Sequence, residues 1–180
     1  MIWLGGIIVG AALLALAVWL YILRQGDAHF EFVVDRRTPF ALTELTTQRA
    51  VFTSRVPFVN NGTQDGTIMD AFTRHHLPCE QFDGVEVASR LHLETAVRDD
   101  GYFESVIFYK GTGSAVVVTV ILTAKNGDIQ ATLQDMVDMP VDIMYQIVAR
   151  SEWYIHKTRM VMTSEEIQQA LAAGISKGQG

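Results

Sequence analysis

Three groups of side chains have the types and spacing to do chemistry. His75, His76 and Cys79 lie close together, and imidazole and thiolate are the usual ligands of zinc. Such a site needs four ligands, or three and a water, so a second cluster would have to come from elsewhere. Adjacent histidines on a strand point to opposite faces, which leaves only one to join Cys79. The expectation is a loop histidine pair beside a buried free thiol, with no metal. A second group is acidic: Asp135, Asp138 and Asp142 cluster, while Asp65, Asp70 and Asp99-Asp100-Gly101 fall in or beside turns. Calcium needs a shell of oxygens that turns at one end of a domain can supply, but no Asp-x-Asp-x-Asp-Gly run is present. Asp before Gly is what a turn requires, so these read as turn formers and no cofactor is expected. The third group is Trp153 and Tyr154 with Arg150, Lys157 and Arg159 nearby. Neighbours on a regular strand face opposite ways, so one of the two rings must face out. These five residues form a candidate contact surface for lipid headgroups or an acidic partner.

Enzyme signatures are missing. The chain has no Gly-x-Ser-x-Gly elbow, no His-Glu-x-x-His, no phosphate-binding loop and no dinucleotide fingerprint. A non-enzymatic role is expected, the alternative being a hydrolase whose Ser, His and Asp come from distant positions. Charge narrows the classes further. Fourteen Lys and Arg against twenty Asp and Glu give a net charge of -6, which repels a phosphate backbone, so nucleic acid is not an expected partner. With Cys79 as the one cysteine, no internal disulfide can form.

The elements that would position these groups fall into two unlike parts. Of the 180 residues 49% are hydrophobic, yet Met1 to Leu23 contain no charge, and only Gly5, Gly6 and Gly10 interrupt the apolar run. The rest of the chain is roughly 43% apolar, ordinary for a globular domain. As a helix, Ile2 to Leu23 reach about 33 Å, enough for a hydrocarbon core of about 30 Å. Trp3 at one end, with Trp19 and Tyr21 at the other, fit an aromatic belt. A cleaved signal peptide would need a basic leader and a short apolar core, and the chain has neither. Residues 1–24 therefore read as a single transmembrane anchor in the lipid bilayer. Arg24, Arg36 and Arg37 follow the span and none precedes it, which leans the domain to the cytoplasmic side. Gly6 and Gly10, with Ala11 and Ala15 at the same spacing, offer a small-residue face for a second helix.

After a short linker, residues 25–28, the pattern turns to period two. Strands are expected at His29–Asp35, Thr46–Val59, Thr67–Phe72, Val85–Leu93, Tyr102–Tyr109, Ala115–Thr123, Val141–Ala149 and Trp153–Met162. Thr46–Val59 is one long strand or two flanking Pro57, and a Pro within it implies an edge or a bulge. Lys125-Asn-Gly-Asp128 signals a hairpin, and Ile129–Met136 reads as a strand or, by Leu133 and Met136, as a helix. Thr163-Ser-Glu-Glu166 fits a capping box, so a short helix over 164–174 is expected, stopped by Gly174 and followed by a tail over 175–180. The fold class is mainly β: an antiparallel β-sandwich of seven to nine strands over 29–163, with one N-terminal transmembrane helix and a short C-terminal helix.

The segment Val56-Pro-Phe-Val-Asn-Asn-Gly62, followed by Gly66-Thr-Ile-Met-Asp70, resembles the strand–Asn–turn–strand piece of small immunoglobulin-like sandwiches of the late-embryogenesis-abundant type 2 and CARDB-like groups. The resemblance implies an immunoglobulin-like sandwich with a non-catalytic role, and it assigns no functional residue. Span, small-residue face and missing catalytic motifs together predict a membrane-anchored binding or accessory protein, with a protein partner or self-association through the helix. The alternative is a module whose sandwich grips a lipid or another small ligand.

Overall fold

The computed structural model describes residues 2–98, 100–151 and 153–177. Asp99 of the acidic group and residues 178–180 of the expected tail lie outside them. The first element, α1 (Ile2–Arg24), is apolar on every side. Its Gly5–Arg24 segment has mean hydropathy 2.5 and none of it is buried, so α1 is long and apolar enough to cross a membrane.

Among the described residues nine strands make two antiparallel sheets. The first contains β1 (Phe30–Phe32), β2 (Ala41–Leu45), β3 (Arg49–Asn60), β5 (Val85–Leu93) and β7 (Gly113–Ala124). Its order is β1-β3-β7-β5, and β2 shares the outer edge of β3 with β1. The second runs β6 (Val106–Phe108), β4 (Gly66–His75), β8 (Met139–Val148) and β9 (Tyr154–Met162). Val-rich β7 is the centre of the first sheet, with β3 on one side from Gly113 to Thr123 and β5 on the other. Such β-branched runs suit a strand flanked on both edges.

Pro57 sits within β3, at the gap that the two half-edges leave. β1 pairs with Phe58–Asn60 and β2 with Ala50–Thr53, while a 3-10 turn, Val34–Arg36, carries the chain outward between them. The missing N–H of Pro57 therefore falls where no strand needs it, as its edge preference predicts.

The inner faces meet in one core. Phe52, Val56, Phe58, Leu91, Val118, Val120 and Leu122 of the first sheet lie in one buried cluster with Ile68, Ile143, Tyr145, Ile147, Met160 and Met162 of the second. The alternation expected for β5 is present, with Val85, Leu91 and Leu93 inward. Burying each such aliphatic side chain contributes about 1.5–3 kcal/mol.

Three local expectations need correction, and one left open is settled. Of the two alternatives for Ile129–Met136 the helix is present: Ile129–Leu133 form α2, capped by Asp128, whose side chain accepts from the Ala131 N–H. Both edges of β7 are already filled, so a hairpin partner has no place to pair. The strand expected over Tyr102–Tyr109 shrinks to Val106–Phe108, and that over His29–Asp35 to Phe30–Phe32. Helix α3 (Ser164–Lys177) runs past Gly174. Its capping box is present: the Glu166 N–H donates to Thr163 Oγ1 at 3.1 Å, and the Thr163 N–H to Glu166 Oε2 at 3.3 Å. Glu166 also takes both guanidinium arms of Arg37 at 2.8 Å, which ties α3 to the 3-10 turn.

Candidate functional site

The chain leaving α1 is not a free tether. The Gln25 carbonyl accepts from Thr63 Oγ1 at 2.7 Å and Gln64 Nε2 at 3.0 Å, and the Asp27 carbonyl from the Thr63 N–H at 2.9 Å. The Asp27 carboxylate takes the N–H groups of Arg150 and Ser151 at 3.0 and 3.1 Å. Burial alone would raise its pKa, but these bonds, with those from the Ser151 side chain and Ala28, hold it below the usual carboxylate range. Tyr154 and Tyr145, reaching from the second sheet, donate their hydroxyls to the carbonyls of Ala28 and Phe30. Residues 25–30 are thus clamped by the β3–β4 turn, the β8–β9 turn and two tyrosines.

Asn60 organises the same end. It is fully buried. Its Oδ1 accepts from the N–H groups of His29 and Gly62, while Nδ2 donates to the carbonyls of Gln64 and Phe108. One side chain so links β1, the turn and β6. Gly62 is required by close approach: a Cβ there would lie 2.4 Å from the Asp27 carbonyl oxygen and the His29 nitrogen. Gly26 adopts φ +64°, the left-handed conformation that lets the chain turn directly after the helix. The β6–β7 turn joins this end too, since the Lys110 N–H donates to Asp65 and the Gly111 N–H to the Asn60 carbonyl.

The outer face of the second sheet is the other distinctive surface. Register places Arg74, Asp142 and Arg159 in one row, Phe72, Met144 and Lys157 in the next, then Asp70, Gln146 and Ile155. Met69 sits in a bulge of β4 between Ile68 and Asp70. Large apolar side chains are exposed across this face, notably Phe72, Ile107, Ile155 and Val161. The outer face of the first sheet carries Arg49, Arg55, Arg90, Glu86 and His92 instead. At the heart of the second face Asp142 is only 3% exposed. Arg159 Nε donates to Oδ1 at 2.7 Å and NH2 to Oδ2 at 3.1 Å, His76 Nε2 lies 2.9 Å from Oδ2, and Lys157 Nζ 3.6 Å away. The bond from Arg159 outweighs burial and, with His76 and Lys157, holds this carboxylate far below its ordinary value.

The sequence-derived candidates land in different places. His75 turns toward Ser89, its Nδ1 3.4 Å from Oγ, while His76 turns to Asp142. Cys79 is exposed and not buried as expected: it lies in the loop after β4, its thiol donating to the Leu77 carbonyl. Among the described residues no three His, Cys, Asp or Glu side chains gather as metal ligands would. Asp138 accepts from the Ser164 N–H at the start of α3, and Asp100 pairs with Arg98, which brings it down to about 2. Of the five-residue contact surface, Trp153 faces out, Tyr154 turns in onto Ala28, and Arg150 sits on the clamped turn. Lys157 and Arg159 serve Asp142. On α1, a Cβ added at Gly6 or Gly10 would meet nothing within 4 Å, and Ala11 and Ala15 are exposed. In the sequence Asn60 stands only as the Asn of the strand–Asn–turn–strand segment, since nothing local marks an asparagine as buried.

No family model matches the chain. None of the curated proteins matches it either, so the family resemblance rests on its strand–Asn–turn–strand segment alone. Among solved structures, a structural-genomics target determined by X-ray crystallography aligns with TM-score 0.39 at 10% identity over 76% of this chain and 86% of its own. A FixG-related protein from Vibrio parahaemolyticus gives 0.35 at 8% identity, covering 76% and 94%. The GAE domain of yeast GGA1 gives 0.33 at 6% identity, covering 68% and 86%. Similarity this low carries no argument about topology or function.

Proposed function

We propose that the protein is a single-pass, membrane-anchored, non-enzymatic binding or accessory protein. In this reading the domain is an immunoglobulin-like sandwich on the cytoplasmic side, and the outer face of the second sheet meets a protein partner in the same membrane. The observation that carries it is α1: a helix apolar all round, with none of its Gly5–Arg24 segment buried against its own domain. Such a helix finds its apolar partner in lipid or in another helix. The anchor confines the domain to a thin layer, where the effective concentration of a membrane partner is high and modest contacts suffice.

The contact face is supported by contrast between the two sheets. Exposed Phe72, Ile107, Ile155 and Val161 gather on the second, around a buried carboxylate that holds its own cations. The test is photocrosslinking in native membranes from a reactive residue replacing Phe72, with one replacing Thr53 on the opposite sheet as control. A defined adduct from position 72 and none from position 53 is expected. Equal labelling from both, or a strictly monomeric protein with no adduct, contradicts the reading.

A further inference from the structure

We infer that the clamped end of the sandwich is itself a lipid-contact surface. Trp153, Tyr109, Arg150 and Lys110 lie in the phospholipid headgroup layer, so the domain stands on the bilayer in one pose instead of swinging from its anchor. This rests on the anchored reading above.

Distance sets the first constraint. Three peptide steps separate Arg24 from Asp27, at most about 11 Å between their Cα atoms. Asp27 holds the backbone of Arg150 and Ser151 directly, and residues 25 and 27 hold Thr63 and Gln64. The headgroup layer of one leaflet is about 5–8 Å thick. If α1 ends at the interface, Gln25 lies one peptide step, about 3.8 Å, beyond it and inside that layer, so the Thr63–Gln64 turn held by its carbonyl stands against the headgroups, and the turn at Gly26 keeps Asp27 short of its full reach.

Their chemistry suits it. Tyr109, 67% exposed, and Trp153, 60% exposed, are aromatic rings on the β6–β7 and β8–β9 turns of this end, left in water by the domain itself. Trp and Tyr are the side chains that favour the headgroup level, where an apolar ring and a polar edge are both satisfied. Arg24, Lys110 and Arg150 are exposed and have no carboxylate partner among the described residues. The carboxylates of Asp27 and Asp65 are turned to backbone N–H groups instead, so lipid phosphates would meet free cations. The outer rows of the second sheet show the opposite arrangement, with Asp142 occupying Arg159 and Lys157. Because the chain carries -6 overall, a zwitterionic phosphocholine surface is the appropriate probe.

The experiment uses the full chain in phosphatidylcholine vesicles doped with nitroxide-labelled lipid, the label near the headgroup in one set and near the chain terminus in another. Trp3→Phe with Trp19→Phe leaves Trp153 as the only indole, and Trp3→Phe with Trp153→Phe leaves Trp19. Loss of Trp153 emission to the shallow label, with little loss to the deep one, is expected. Trp153 unquenched while Trp19 is quenched overturns the headgroup contact and leaves the anchor standing. If neither indole is quenched, the anchored reading fails and the contact with it.

Discussion

Replacing Asp142 by Asn exposes how the outer face of the second sheet is held. Asp142 lies on β8 between β4 and β9, and its side chain is 3% exposed because Arg159, Lys157 and His76 close over it. An ionised carboxylate only accepts, so His76 donates from Nε2 and the guanidinium of Arg159 donates twice. Removing one partner of a fully buried ion pair costs about 3–5 kcal/mol. Here the cations can return to water, since the side chains of Arg159 and Lys157 are about half exposed, at 52% and 50%. The loss therefore falls to about 2 kcal/mol, near that of one charge-assisted hydrogen bond. For a domain of this size it corresponds to about 4–8 °C in Tm. The folded pKa of Asp142 lies below its unfolded value, so the stabilisation is complete above that unfolded value and is lost as pH falls through the folded one. Urea titrations of the full chain in mild detergent should show a lower midpoint for Asp142→Asn at neutral pH with an unchanged slope. The gap to the parent should narrow below about pH 4. Equal midpoints at neutral pH, or a gap that persists undiminished into acid, would refute the reasoning.

Other substitutions probe the clamp and the helix. Asn60→Ala leaves two N–H groups and two carbonyls without their partner, and a loss of about 2–4 kcal/mol in urea melts is expected. Gly62→Ala should loosen residues 25–30, read as faster amide exchange at Ala28 and His29, because its Cβ would collide with backbone there. Glu166→Gln removes the bidentate pair with Arg37; burial opposes ionisation of Glu166 but the Arg37 bond prevails and lowers its pKa. Its cost, about 1 kcal/mol by the same melts, is present near neutral pH and fades as pH drops through the depressed value.

Local pattern made some elements legible and left others hidden. The apolar run of α1, the alternation of β5, the Val-rich β7 and the capping box of α3 each carry a signal within a few residues. Pro57 announced an edge, and the edge turned out to be a gap between two half-strands. Ala41–Leu45, by contrast, has no alternating burial and is a strand only because the first half of β3 offers a free edge. The Asn126-Gly127 turn led into α2, since Asp128 caps a helix and β7 has no open side. For the five candidate contact residues only the exposure was legible: one of Trp153 and Tyr154 had to face out, and Trp153 does, but the claim of Ala28 on Tyr154 and of Asp142 on Lys157 and Arg159 is long-range. No spacing rule could reveal Asn60 as the joint that holds the chain just after α1.

The most direct measurement asks whether the domain keeps its helix and stays in the membrane. Membranes from cells making the full chain are washed with alkaline carbonate, and the intact mass of the protein is then determined. The anchored reading predicts that the protein remains in the pellet with residues 1–24 attached. A soluble species whose mass shows that it begins just after Gly26 or Ala28 would contradict it.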